Sequence, residues 1–337
     1  MKVGVLSFAH VHAGGYLAGL NGMEGVEVLG SDPDTDLAAP GELRGREFAE
    51  QLGVAYAETY EEVFAWGPDA VVVCSENARH RPLVEMAAAH GVDVLCEKPL
   101  ASTVEDGEAM VAACREAGVR LSIAYPVRFS PAYAAVKAAV DSGQVGKVLT
   151  VAGANNGGMP TRARRWFAQP ELSGGGALID HTVHIADLLD DLFGQSGAVE
   201  VYAQVNNLMY AGEVEAETSG LVTVRYENGA VATIDCSWSQ PRSHPAWGGL
   251  EMTLVGEKAT LEMDAFGQKV FGHSETRGTG IELGFGLDLD GLMLEAFLHG
   301  PKPGGMDVAD ADGGLRTLKI VAAAYESTRT GQPVKVG

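Results

Sequence analysis

Between residues 1 and 124 the chain alternates two hydrophobic patterns. Short apolar runs at 2–6, 26–29, 69–74, 92–96 and 120–124 have strand length, and Asp69-Ala70-Val71-Val72-Val73-Cys74 is continuous and β-branched, as a strand buried on both faces of a parallel sheet requires. The stretches between them have helical spacing. They predict helices from the first strand to residue 20, over 44–52 (Phe48 and Leu52 lie four apart), over 82–90, and from Thr103 to 117 with Glu105 and Asp106 in the first turn. Strand alternating with helix predicts an α/β fold with a doubly wound parallel sheet of the Rossmann type.

Around Tyr125 the rhythm changes. Helices are expected over 131–140 and 177–193, with a strand at 147–151 between them. From 198 to 262 the pattern is all strand. The runs 220–226 and 230–238 flank Glu227-Asn228-Gly229, whose Asn-Gly is a hairpin signal, and 252–255 and 260–263 flank Gly256-Glu257-Lys258 in the same way. Closing helices are expected at 287–298 and 311–326, and the glycine-rich stretch 265–285 shows no periodicity. The expected division is a dinucleotide-binding domain at 1–124 and an α+β domain at 125–337. The second domain is expected to carry a mixed, largely antiparallel sheet.

Composition narrows the class. A length of 337 residues suits two cores better than one, and an apolar fraction of 46% is ordinary for a globular chain. A formal net charge of −21 repels nucleic acid and anionic membranes, so neither is expected as a partner. No apolar run has the length of a membrane span. Cys74, Cys96, Cys114 and Cys236 form no Cys-x-x-Cys pair and fit no zinc module; free buried thiols in a reducing, cytoplasmic compartment are the simplest account.

Chemistry concentrates in four places. The first strand-to-helix turn, where a Rossmann fold seats the pyrophosphate, reads Ser7-Phe8-Ala9-His10-Val11-His12 in place of Gly-x-Gly-x-x-Gly. Alone it reads better as a plain βα turn. If a dinucleotide binds, Ser7 and Ala9, the least bulky replacements, are expected to offer backbone N–H groups to the phosphates, with His10 near the cofactor. Asp32 follows the second strand, twenty positions past His12. A carboxylate there accepts hydrogen bonds from the adenosine ribose and repels a 2′-phosphate, which favours NAD over NADP; the other reading is an acidic turn residue. Glu97-Lys98-Pro99 ends the fifth strand, and proline keeps Lys98 extended at the edge where open α/β sheets bind ligands. Lys98 there handles a substrate hydroxyl proton, or is a surface lysine before a turn. Finally, Gly174-Gly175-Gly176 opens a helix on which Asp180, His184 and Asp187 form one narrow polar stripe amid apolar faces. A histidine with a carboxylate one turn away is an acid/base arrangement, or a core histidine satisfied by its neighbour. His181 and His184 are a weaker candidate metal pair, and no metal site is expected.

Taken together, Asp32, Glu97-Lys98-Pro99 and the Gly-Gly-Gly…Asp180…His184…Asp187 helix resemble the Gfo/Idh/MocA family over nearly the whole chain. Ser75-Glu76-Asn77-Ala78-Arg79-His80 is similar to that family's loop after the fourth strand, Tyr125-Pro126-Val127-Arg128-Phe129 to its entry into the second domain, and Trp166-Phe167 to the segment before the glycines. The resemblance implies an oxidoreductase that moves hydride between nicotinamide and a sugar-like or cyclic polyol alcohol. It implies Lys98 and His184 as the proton-handling pair, with Asp180 holding the substrate or His184. Ser7, Ala9, His10, Asp32, Ser75, Asn77, His80, Glu97 and Lys98 would face NAD, with Asn77 and Glu97 by the nicotinamide ribose. Arg128, Trp166, Asp180, His181 and His184 would face substrate. It also implies a homodimer or homotetramer through the second-domain sheet. Two other activities share the fold: a glycosidase that uses transient oxidation by NAD to permit elimination, and a ligand-binding regulator without catalysis.

Overall fold

The computed structural model describes all residues of the chain except Gln195 and Arg277. It divides into two compact units. The first contains Met1–Pro126, Thr161–Gly174 and Asp290–Leu318; the second contains Val127–Pro160, Gly175–Leu289 and Lys319–Gly337.

In the first unit, strands β1 (Lys2–Leu6), β2 (Glu27–Ser31), β3 (Ala55–Tyr56), β4 (Ala70–Val73), β5 (Asp93–Cys96) and β6 (Leu121–Ile123) are parallel and ordered β6-β5-β4-β1-β2-β3. Helices α1 (Ala13–Asn21), α2 (Gly45–Gln51), α3 (Tyr60–Ala65), α4 (His80–Ala89) and α5 (Val104–Ala117) connect them. Every residue of β4 is buried, as its unbroken β-branched run requires. Thr59 caps α3 and Thr103 caps α5, each side chain accepting an N–H from the residue three further on. The short β3 and α3 carry too few residues for a periodic signal, and the sequence does not announce them.

The second unit begins with α6 (Pro131–Asp141) and β7 (Val148–Gly158), which runs well past the expected 147–151. Helix α7 (Pro170–Ser173) belongs to the first unit, and the 16-residue α8 (Ala177–Leu192) to the second. Then come β8 (Ala198–Asn206), β9 (Ser219–Tyr226), β10 (Val231–Gln240), β11 (Gly248–Gly256) and β12 (Thr260–Asp264). With the late strand Val334–Lys335 they form one sheet, antiparallel except where β7 meets β10. Helix α8 packs on β7, β9 and β10. The stretch that had no periodicity holds a separate two-stranded ribbon, Lys269–Ser274 with Thr279–Gly284.

The chain does not divide once at 124. Residues 161–174 return to the first unit because Trp166 Nε1 donates to the Ala9 carbonyl at 2.8 Å. Residues 290–318 return because the short strand Ala309–Asp310 adds an antiparallel edge to β6, and Tyr125 hydroxyl meets Thr317 Oγ1 at 2.9 Å. All four cysteines are free and buried. Among the described residues no helix is long and apolar enough to cross a membrane.

The glycine run before α8 is explained by close approach. A Cβ on Gly176 would sit 2.0 Å from the Glu217 carbonyl oxygen, and one on Gly175 (φ +157°) 1.7 Å from the Tyr325 hydroxyl. The same Glu217 caps α8: its Oε1 accepts from the backbone N–H of Gly176 at 2.7 Å and of Leu178 at 3.2 Å. A carboxylate at that end also suits the helix dipole. We therefore expect Gly176→Ala to lower unfolding stability by about 3 kcal/mol or more, since backbone cannot yield as a side chain can. Gly284→Ala, where an added Cβ meets nothing within 4 Å, serves as control and should stay within about 1 kcal/mol. Urea titration compares the two, and equal losses would refute the packing account.

Candidate functional site

Strands β1, β2, β4 and β5 end level. Leu6 is in register with Ser31 and Val73, and Val73 with Cys96. The residues that follow them, Ser7, Asp32, Ser75 and Glu97-Lys98, therefore line one carboxyl edge. The strand order reverses there between β1 and β4, which is where α/β sheets bind ligands.

Ser7 has φ +66°, the left-handed conformation that a glycine normally supplies. The turn thus keeps the backbone path of the glycine fingerprint without its first glycine. Its donors, however, turn inward. Ser7 N–H donates to Ser31 O at 2.7 Å, His10 N–H to Cys74 O at 2.8 Å, and Ala9 N–H to Ser7 Oγ at 3.3 Å. The Ser7 and Ala9 N–H groups, expected to face a phosphate, are bonded within the chain here.

Asp32 is fully buried, and its carboxylate is held by Arg44 and Gly45. Arg44 Nη2 reaches Oδ1 at 2.7 Å, Arg44 Nε reaches Oδ2 at 3.0 Å, and Gly45 N–H donates to Oδ2 at 3.1 Å. Arg44 Nη1 also reaches Glu76 Oε1 at 3.1 Å. These fork contacts outweigh burial and raise the guanidinium above its ordinary value. Sequence reasoning missed Arg44. The available signal was the rule that a buried carboxylate needs a cation.

Residues 161–174 lie on this edge. Arg164 Nε donates to Ala9 O at 3.1 Å, and its Nη2 donates to Phe8 O at 3.3 Å and Leu43 O at 3.2 Å. Trp166, expected on the substrate side, binds Ala9 O and stacks on Phe167, and both rings pack near His10. Asn77 Nδ2 donates to Ser173 O at 2.8 Å. His80 Nδ1 lies 3.2 Å from Leu100 O, and burial lowers its pKa. Ser75 Oγ makes a long bond, 3.3 Å, to Glu76 O. His80 and Ser75 thus bond to local backbone.

Glu97 is wholly buried. Its Oε2 accepts Lys98 N–H at 3.0 Å, while Oε1 lies 2.9 Å from His12 Nδ1 and 3.4 Å from His10 Nδ1. Burial alone would raise this carboxyl, but His10 and His12 outweigh it and hold the group well below the usual carboxylate range. Burial acts to lower the His12 ring and Glu97 to raise it, and the raising wins. His12 had drawn no functional reading beyond a misplaced glycine. Lys98 is buried beside Glu97.

In the second unit, α8 places Asp180, His181 and His184 within four residues. Asp180 Oδ2 accepts Trp238 Nε1 at 2.9 Å and lies 3.3 Å from His181 Nε2. His181 Nδ1 donates to Asn155 O at 2.8 Å, which fixes its ring. His184 is half-buried one turn beyond Asp180. Arg128, expected toward substrate, instead clamps the buried Asp187, with Nε and Nη2 each at 2.8 Å from a different oxygen. Asp187 is thus taken by Arg128. Trp238 and Asn155 also escaped sequence reasoning, because each lies on a strand far along the chain from α8.

A doubly wound sheet with a left-handed first turn, followed by a unit whose mixed sheet carries a helix bearing Asp180 and His184, defines a dinucleotide-dependent class of oxidoreductase. The sequence agrees. The model of an oxidoreductase family with an NAD-binding Rossmann fold matches residues 17–125, and that of the GFO/IDH/MocA C-terminal domain matches residues 133–262. The chain belongs to the Gfo/Idh/MocA family of sugar and polyol oxidoreductases. It is 28% identical over 300 residues to the 1,5-anhydro-D-fructose reductase of Ensifer adhaerens, spanning 87% of this chain and 88% of that one. It is 24% identical over 326 residues to the scyllo-inositol 2-dehydrogenase (NAD(+)) of Bacillus subtilis, spanning 92% and 91%. Its fold matches that of GenD2 from gentamicin A biosynthesis, solved with NAD, at a TM-score of 0.84 and 24% identity over 100% of this chain and 96% of that one.

The Arg128–Asp187 pair gives a direct test of its structural role. Arg128→Met strands a buried carboxylate and should cost about 3–5 kcal/mol, whereas Arg128→Met with Asp187→Leu should recover most of that loss. Chemical denaturation of the three proteins decides it; a double variant as unstable as the single one contradicts the assignment.

Proposed function

We propose that the protein is an NAD-dependent dehydrogenase of a sugar-like or cyclic polyol secondary alcohol. The observation that carries this reading is Lys98, set directly after β5 on the carboxyl edge, on the same edge as Asp32 and the left-handed Ser7 turn. The left-handed turn and the acidic residue after β2 fit a dinucleotide. When bound, the nicotinamide supplies the hydride acceptor. The chain's residues do the rest. Lys98 receives the hydroxyl proton as the alcohol carbon becomes a carbonyl, because hydride departs readily only if that proton leaves with it. His184, with Asp180 before it, is the second proton-handling group. Trp238 and His181 fix Asp180, so that carboxylate meets a sugar hydroxyl in a set orientation.

Positive charge for the pyrophosphate comes from Arg164, whose guanidinium lies on the carbonyls of the first turn. Asp32 favours NAD, and Arg44 neutralises part of its charge. Oligomers form through the second-unit sheet, whose strand β9 exposes Leu221 on its open face at 54%.

Two measurements test this. Lys98→Ala and His184→Ala should each lower kcat about 10²–10⁴-fold with little change in NAD affinity, measured on a substrate found by screening polyols and sugars. Full turnover in both variants would remove the roles. Calorimetry should show NAD binding more tightly than NADP; the reverse order would transfer the ribose site from Asp32 to Arg44 as a phosphate receptor.

A further inference from the structure

We propose that His10, His12 and Glu97 form a binding site for one divalent transition-metal ion of the zinc class. The site lies within the first unit and does not rest on the dinucleotide reading. It also departs from the expectation, drawn from the sequence, that the chain holds no metal.

The three residues offer one ligand atom each, and these atoms lie within 4.8 Å of one another. His12 Nδ1 is 2.9 Å and His10 Nδ1 3.4 Å from Glu97 Oε1. A four-coordinate ion with bonds of about 2.0–2.2 Å has ligand–ligand edges of about 3.3–3.6 Å, close to the two carboxylate–imidazole separations; the two imidazole nitrogens, within 4.8 Å of each other, would draw together on binding. The tautomer fits as well. His12 N–H donates to His10 Nδ1 at 3.3 Å, so that nitrogen carries its lone pair while facing a carboxylate oxygen. Two acceptors in that position gain from a cation, and a metal bond would replace the long N–H contact.

Two imidazoles and one carboxylate select zinc, cobalt, nickel or iron(II) over magnesium or calcium. Around His12, the Asp290 carboxylate favours positive charge while Lys98 opposes it. Three protein ligands leave a fourth position open, and the His12 side chain, 30% exposed, marks the side on which it meets solvent. The buried Tyr16 hydroxyl stands near the same carboxylate. Such a position takes a water, alcohol or carbonyl oxygen as its ligand.

The test uses tag-free, chelator-treated full-length protein without dinucleotide. Titration calorimetry with zinc should give one equivalent, bound at about micromolar Kd or tighter. Cobalt(II) should give the intense visible bands of a four-coordinate ion. His12→Ala and Glu97→Gln should each weaken zinc binding at least about 100-fold, a ligand being worth no less than its outer partners. If Glu97→Gln fails to fold, His12→Gln takes its place, with thermal melting to verify folding. No saturable binding up to millimolar zinc, or binding unchanged in His12→Ala, would overturn the site. Repeating the titration with NAD separates the two readings: zinc bound without any dinucleotide binding refutes the coenzyme and leaves the metal, and the converse refutes the metal alone.

Discussion

A carboxylate taken out of water must meet a cation or several N–H groups within hydrogen-bond distance, and the two units are organised around this requirement. Asp32 is met by Arg44 and Gly45, Glu97 by His12 and the Lys98 amide, Asp187 by Arg128, and Glu217 by the first turn of α8. The contacts of Glu97 with His12, Asp187 with Arg128 and Glu217 with Gly176 join segments distant in sequence. Asp32 and Glu97 help to fix the carboxyl edge of the first sheet, and Asp187 and Glu217 the helix that carries Asp180 and His184.

What the sequence disclosed follows from this. The strands of the first sheet were legible because burial on both faces leaves an uninterrupted apolar run, and β4 is the plainest case. Lys98 and the Asp180–His184 helix were legible because proline and helical spacing act locally. Arg44, Glu76, Trp238 and Asn155 were not, since nothing near them in the chain marks them as partners of a buried charge. The ribbon at residues 269–284 was illegible for the opposite reason. Its strands bury almost nothing, so no alternation of apolar and polar positions exists to be seen.

The first turn shows how a backbone shape outlives its usual residue. Ser7 holds the left-handed conformation at a cost of about 1–2 kcal/mol, and its hydroxyl recovers part of that by accepting the Ala9 N–H. The result is a turn with the path of a phosphate loop but few outward donors. Residues 161–174 set the Arg164 guanidinium on the carbonyls of this turn.

The return of residues 161–174 and 290–318 to the first unit bears on how the polypeptide matures. A ribosome-bound chain that has released only residues 1–126 presents β6 with an unpaired edge and an Ala9 carbonyl lacking its indole donor. The amino-terminal sheet therefore reaches its finished form only after residue 310 has emerged. Until then the nascent chain carries an open strand edge, a template for pairing with other chains that a chaperone would have to shield.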